Sequence, residues 1–539
     1  NTTAGHNLAI GVEALKDNTT AAYNLAIGNY ALDDTTTGNV NIAIGYNSLG
    51  ANTTGANNTA VGFDALQATT TGGINVAVGN YCLDANTTGN YNTAVGYGSL
   101  SASTTASHNT AFGYASLQVN TTGANNVAVG REALIANTTG SSNTAVGGNA
   151  LDANTTAVEN TAIGRNALGA TTTGGYNTAL GSGSLASNVT GVKNVAVGRD
   201  ALVANTADHN TSIGYHALND NTTGTQNVAV GSLSLDASTT ASYNTAVGYA
   251  ALGANTTGQA NVAIGSYTLD ANTTGGYNTA VGYEALTAAS TAGSNVGIGH
   301  YALYATTTAS NNTAVGTHSL DANTTGVENV GVGAYTLTNS TTAHANTAIG
   351  YAACTGNTTG TGNAALGYAA LYQSTTANNN TALGYQALYA NTTGTSNVAV
   401  GSAALDAATT ASDNVAIGYS ALTANTTGEW NVAVGRRALN GLTTSNYNTG
   451  VGDRALYSLT TGATNTVVGH MGGYGVTTGS NNLLLGHDAG NADSPAGNVT
   501  TGSNIVCLGD DDITNLYCAD TSISSSDSRD KTDVTNFTH

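Results

Sequence analysis

The sequence predicts an all-β protein, a parallel β-solenoid or β-roll of about thirty 17-residue coils. Three observations predict it. First, the motif Asn-x-Ala-[Val/Ile/Leu]-Gly, loosely matched, starts at Asn7, Asn24, Asn41, Asn58, Asn75 and Asn92, and the spacing of 17 holds to Asn194. It slips to 16 at Asn210, resumes at 17 to Asn482, and ends in an irregular copy read as starting at Asn504, with an extra residue before Gly509. A fixed period of this size marks a repeat architecture. Second, the 539 residues include 70 Gly but 1 Pro and 1 Met, and only 7% are charged, a bias foreign to ordinary globular domains. Third, 40% of residues are hydrophobic and they fall periodically, whereas disordered chains are poor in hydrophobic residues and rich in charge.

The unit reads Asn-Thr-Ala-Val-Gly-Tyr-x-Ala-Leu-x-Ala-Asn-Thr-Thr-Gly-x-x, positions 1 to 17. Positions 1 to 4 form a short, partly β-branched strand that ends at Gly in position 5, where the chain can turn without side-chain strain. Ala-Leu at positions 8 and 9 is a second apolar segment, and Thr-Thr-Gly at positions 13 to 15 supplies the next turn. Recurrent Gly, Thr and Asn disfavour helix. One unit cannot bury its own apolar face, but stacked units can.

Stacking in register sets like on like. Asn7, Asn24, Asn41, Asn58, Asn75 and Asn92 begin an asparagine ladder, position 4 becomes an aliphatic ladder, and Leu15, Leu32, Leu49 and Leu66 begin a leucine ladder. At about 4.8 Å per coil, thirty coils make a rod on the order of 140 Å long. The slip at Asn210 predicts one tightened turn. Side chains alternate along a strand, so positions 2 and 4 face one way and Ala at position 3 the other. Both sides are at least partly apolar. Only one can fill the coil, and the other is left as a long apolar stripe of the kind soluble monomers avoid. A parallel homotrimer would cover it; a self-sufficient single-chain solenoid is the alternative.

Net charge is −20 and the sequence pI about 4.4. Ten Lys and Arg over this length make no basic patch, so nucleic acid is not an expected partner. No apolar run is long enough for a transmembrane helix. The first residue is Asn1 rather than Met, which suggests a processed chain or a fragment. Cys82, Cys354 and Cys507 each replace a small or apolar residue of the repeat, which predicts buried packing; with Cys518 they form neither a disulfide framework nor zinc spacing. The ten His lie at variable positions without an evident metal pair, and are expected to be exposed. Asp and Glu form no calcium repeat, and Gly-Lys-[Ser/Thr] of a phosphate loop is absent. No cofactor, metal or catalytic centre is expected in the repeat array.

Two columns are candidate sites. Asn18, Asn52, Asn86, Asn120, Asn137, Asn154, Asn221, Asn255, Asn272, Asn323, Asn357, Asn391 and Asn425 each open an Asn-x-Thr sequon at position 12. They read either as a column of N-glycans or as turn residues that bond their own backbone. Thr35, Thr69, Thr171, Ser103 and Ser238 in the same slot suit a turn and break the sequon. Tyrosines recur at position 6 (among them Tyr46, Tyr97, Tyr249, Tyr283 and Tyr351) and at position 17 (Tyr91, Tyr176, Tyr277, Tyr447). They would pack coil on coil or stack on sugar rings.

Asn-Val-Ala-Ile-Gly at Asn414 and Asn-Thr-Ala-Val-Gly at Asn92 resemble the head repeats of trimeric autotransporter adhesins, whose unit is shorter than 17 residues. The longer string from Asn380, Asn-Thr-Ala-Leu-Gly-Tyr-Gln-Ala-Leu-Tyr-Ala-Asn-Thr-Thr-Gly, is similar to fibre proteins of environmental phages and bacteria. From Ser522 the string Ser-Ile-Ser-Ser-Ser-Asp-Ser-Arg-Asp-Lys resembles the entry to the intramolecular chaperone domain of phage tailspikes and long tail fibres. That resemblance implies a scissile Ser526–Asp527 bond in a longer precursor, with Ser526 as nucleophile and Lys531 as general base. The chain would then divide into a repeat shaft (1–503), a last coil and connector (504–526) and a remnant of the chaperone domain (527–539).

The expected function is structural, an extracellular fibre on a virion or cell surface. A tail-fibre-like shaft or head would project and attach, with sister chains and a host-surface glycan or protein receptor as partners. A bacterial adhesin or extracellular filament is the alternative, and an ice-binding solenoid a third reading.

Overall fold

The computed structural model describes residues 5–515. The described residues fall into two compact units, divided between Asn378 and Asn379. Every regular element among the described residues is a three-residue strand, and none is a helix. The first unit holds β1 (Leu8–Ile10) through β22 (Ala364–Leu366), and the second β23 (Thr381–Leu383) through β30 (Val506–Leu508). Within each unit every strand pairs in parallel with the strand of the next coil, as in Leu25↔Ile42, Ala26↔Ala43 and Ile27↔Ile44. The parallel β-solenoid of 17-residue coils is the predicted fold class.

The strand faces sort by size. Ala26, Ala43 and Ala60 at position 3 point inward and are fully buried, while Ile10, Ile42, Phe112 and Leu180 at positions 2 and 4 point outward and stay exposed. The interior is completed by Ala at position 8, Leu at position 9 and small or polar residues at positions 1, 12 and 15. Leu32, Leu49, Leu66 and Leu83 are fully buried, as are Cys82 and Cys354, with Cys507 nearly so. Burying each such leucine contributes about 1.5–3 kcal/mol. The aliphatic ladder of position 4 is therefore an outer surface, and the leucine ladder is the core.

The coil closes so tightly because three residues per coil besides the position-5 glycine are left-handed. In the coil that starts at Asn24 these are Tyr30 (φ 62°), Leu32 (φ 53°) and Val40 (φ 60°), at positions 7, 9 and 17. Such a conformation costs roughly 1–2 kcal/mol for a residue with a Cβ. Hydrogen bonds to adjacent coils offset it: the Tyr30 amide donates to the Val12 carbonyl (2.8 Å) and the Leu32 amide to the Ser48 carbonyl (3.1 Å). Position 5 is Gly in all thirty copies. Gly45 has φ 141°, and a Cβ there would lie 2.2 Å from the Gly62 carbonyl oxygen of the next coil. Both conformation and space demand glycine at this one position.

Irregularities follow the same physics. In the 16-residue coil, the missing residue comes from the turn after position 12. Asn205 Nδ2 there donates to Ala207, two residues on (2.7 Å), whereas Asn221 reaches Gly224, three residues on (2.9 Å). That is the expected tightened turn. The last coil corrects the sequence reading. The register Leu483↔Val506 puts Ile505, not Asn504, in the position-1 slot. Ile505 donates its amide to Asn482 Oδ1 (3.0 Å), and Asn504 takes the left-handed position 17 (φ 62°). No extra residue precedes Gly509; the added length lies in the loop before the coil. Ile reads as a break in the motif, but the backbone amide makes the bond that matters there. Nearby the core inverts its pattern. Val467 and Leu484 replace Ala at position 3, and Gly472, Gly473 and Gly490 replace Ala-Leu opposite, where a Cβ on Gly473 would meet Leu484 Cδ1 at 3.1 Å. Ser526, Asp527 and Lys531 lie outside the described residues.

Candidate interaction surface

The coil presents three outward flanks: the sheet face (positions 2 and 4), an edge of positions 6, 7, 10 and 11, and a threonine turn. What stays inside is fixed by two asparagine columns. At position 1 each Oδ1 accepts the backbone amide of the next asparagine: Asn24 to Asn7 (2.7 Å), Asn41 to Asn24 (2.8 Å), Asn58 to Asn41 (3.0 Å), Asn75 to Asn58 (3.0 Å) and Asn92 to Asn75 (2.9 Å). Each Nδ2 reaches across its own coil, as from Asn41 to the Gly55 carbonyl (2.9 Å). The column thus ties adjacent coils together and braces each one.

The position-12 column corrects the glycan expectation. Asn52, Asn86, Asn120, Asn137, Asn154, Asn221, Asn255, Asn272, Asn323, Asn357, Asn391 and Asn425 are fully buried, and Asn18 is 4% exposed. Their Nδ2 atoms, where a sugar would attach, are engaged: Asn120 with the Gly123 carbonyl (2.9 Å), Asn137 with Asn120 Oδ1 (2.8 Å), Asn272 with Asn255 Oδ1 (2.8 Å). The folded coil has no path for a glycan there, and the asparagines act as turn residues. Leu442, Leu459 and Val476 occupy the same slot, equally buried, so it is a core position. The Oδ1 atoms of Asn52, Asn86, Asn154, Asn272 and Asn391 are buried without a hydrogen-bond partner. In each case the next coil offers Thr, Ser or Ala in place of an amide donor.

The threonine turn adds a hydroxyl column. Thr36 Oγ1 donates to the Thr53 carbonyl (3.1 Å) and Thr53 to Thr70 (3.0 Å).

The 6, 7, 10 and 11 edge concentrates rings and charges. Rings at position 6 meet rings at position 7 of neighbouring coils, so that Tyr30, Tyr46, Phe63, Tyr81, Tyr97 and Tyr114 form one run with centroids 5.1–5.8 Å apart. A second run joins Tyr249, Tyr267, Tyr283, His300, Tyr301, His318, Tyr335, Tyr351 and Tyr368. A column-by-column reading of the sequence misses these runs, because successive coils switch between positions 6 and 7. Reading the two positions as one site finds them, and also finds His300 and His318, which looked scattered. Smaller stacks stand at position 17, Tyr91 on His108 (4.9 Å) and Trp430 on Tyr447 (5.1 Å).

Towards the C-terminal coils, charges on the edge pair locally. Arg436 forks onto Asp453 (2.9 and 3.1 Å) and holds that carboxyl below its usual range. His487 Nδ1 lies 2.9 Å from Asp510, which raises the imidazole and lowers the carboxyl. Burial pushes Cys354 up to about 12, so its thiol is inert packing. Among the described residues no helix is long and apolar enough to cross a membrane. In comparisons with known proteins, no family model matches the chain, and no curated protein matches it.

Proposed function

We propose that the chain is a structural fibre protein, a shaft or head that assembles with sister chains outside the cell, projects from a virion or cell surface, and attaches it to a glycan or protein receptor. One observation supports this above all. Position 4 faces outward, yet it is Val, Ile, Leu or Phe in all thirty copies. Positions 6, 7 and 10, equally outward, vary freely from coil to coil. An outer column held apolar along the whole repeat is one that something covers. A partner that matches it coil for coil must share its period, and another copy of this chain does.

The area suits such a partner. At about 4.8 Å per coil and 3.3 Å per residue, a three-residue-wide face over the coils of the first unit is on the order of 1,000 Å². A standard interface takes roughly 800 Å² from each side. We read the assembly as a parallel homotrimer. Native mass measurement of the purified chain should give three copies, and a stable monomer would overturn the reading. The Ser526–Asp527 bond is read as a self-cleavage site of a longer precursor, with Ser526 attacking and Lys531 as base. Expressing a longer chain should release a product whose intact mass ends at Ser526, and Ser526→Ala should abolish it.

A further inference from the structure

The longest ring run, from Tyr249 to Tyr368, crosses eight consecutive coils of the first unit, roughly 34 Å at the coil spacing. Its rings pack on one another and still face solvent: Tyr249, Tyr283, Tyr351 and Tyr368 are 44–50% exposed. Mutual packing fixes them, so a ligand would lose little side-chain freedom on binding. The charge beside them has one sign. Between Arg199 and Arg436 the chain contains no Lys or Arg. On the same edge stand Asp270, Glu284 and Asp321, of which Asp321 pairs with His318 (2.8 Å). Burial, and then the Glu284 charge, push Asp270 up. A cation brought to this edge would relieve that crowding.

We propose that the aromatic and acidic edge of the coils from Asn244 to Asn378 is a binding strip for a linear amino-sugar polysaccharide with free ammonium groups. A strip eight coils long with a repeated ring suits a repeating polymer better than a compact ligand. The C–H face of a sugar ring lies on tyrosine. Its ammonium group meets the carboxylates and the ring faces, whose negative potential attracts a cation. The hydroxyls of Thr287 and Thr355, bonded to the Tyr267 and Tyr335 carbonyls (both 2.9 Å), stand among the rings as further polar partners. The inference rests on the attachment reading above and names its ligand class.

The test is titration calorimetry of the full chain with three probes: a fully deacetylated glucosamine oligosaccharide, its N-acetylated counterpart, and poly-lysine. The deacetylated probe should bind about ten-fold or more tighter than either of the others. Tyr267→Ala with Tyr335→Ala should weaken it by a similar factor, and so should Asp270→Asn with Glu284→Gln, a pair that removes no ring. Circular dichroism confirms that each variant is folded. No binding of the deacetylated probe, equal binding of the acetylated one, or indifference to both variant pairs overturns the proposal. Poly-lysine binding as tightly as the oligosaccharide overturns the sugar assignment. Native mass on the same sample separates the two readings: a trimer that ignores the oligosaccharide sinks this inference alone, and a monomer that binds it sinks the assembly alone.

Discussion

At the residue scale, the coil distinguishes two glycines that look alike in the repeat. Gly248 at position 5 has φ 137°, and a Cβ there would lie 2.4 Å from the Gly265 carbonyl oxygen. Gly258 at position 15 is as crowded, 2.2 Å from the Gly275 carbonyl, but its backbone is not left-handed. Ala106, Ala241 and Ala343 occupy that position in other coils. Gly248→Ala should therefore cost about 1–3 kcal/mol, read as lost amide protection in the coils on either side, and Gly258→Ala clearly less. Buried asparagine gives a second contrast. Asn255 donates Nδ2 to the Gly258 carbonyl (3.0 Å) and accepts from Asn272 (2.8 Å). Asn255→Asp removes the donor and buries a carboxylate. It should lower stability by about 1–3 kcal/mol, with the loss partly recovered in acid, where the carboxyl is neutral. Asn255→Leu should be milder, because Leu442 and Leu459 already fit this slot. Peptide mapping of protein made in a glycosylating host should find Asn52, Asn137 and Asn272 without sugar.

At the element scale, the strand is only three residues long and does little alone; the turns carry the register. The last coil shows it, since Val506 lies 23 residues after Leu483 rather than 17 and still pairs with it in register. Its outer edge is clasped by His487 and Asp510, and that clasp sets a pH window. The His487 pKa is raised, chiefly by its hydrogen bond to Asp510, so this contribution is complete below the ordinary histidine range and is lost as pH rises through the raised value. The Asp510 pKa is lowered, chiefly by the same bond, so its share holds above the ordinary carboxylate range and is lost as pH falls through the lowered value. Hydrogen exchange corrected for intrinsic rate should show Val506–Leu508 better protected at about pH 5 than at about pH 9. His487→Gln should remove the difference; an unchanged profile would mean the clasp contributes nothing.

At the scale of the whole molecule, the fold was legible because one period repeats: the spacing of 17, the invariant Gly, and the Asn and Leu columns place coil, turn and core without any contact being known. The left-handed residues were not legible. Leu32 at φ 53° and the β-branched Val40 at φ 60° both run against residue preference, and the cross-coil hydrogen bonds offset the cost. Nor was the direction of the sequon column, because Asn-Thr-Thr suits an exposed and an inward turn equally, and burial alone decides. Which strand face turns outward was likewise open, as Ala and Val are both apolar; the coil is too narrow for the larger one. That choice makes assembly testable apart from folding. Val247, Ile264 and Val281 are outward position-4 residues in three successive coils, where the neighbouring inward residues are Ala246, Ala263 and Ala280. Replacing all three outward residues by Lys leaves the core, both asparagine columns and every glycine untouched, so circular dichroism should stay that of a solenoid. If sister chains cover this face, the three charges are desolvated together against apolar partners, a penalty of several kcal/mol that no nearby group offsets. Native mass should then shift from trimer to monomer. An intact trimer would place the contact on another flank, and the same substitutions on the inward side, Ala246→Lys first, should instead unfold the coil.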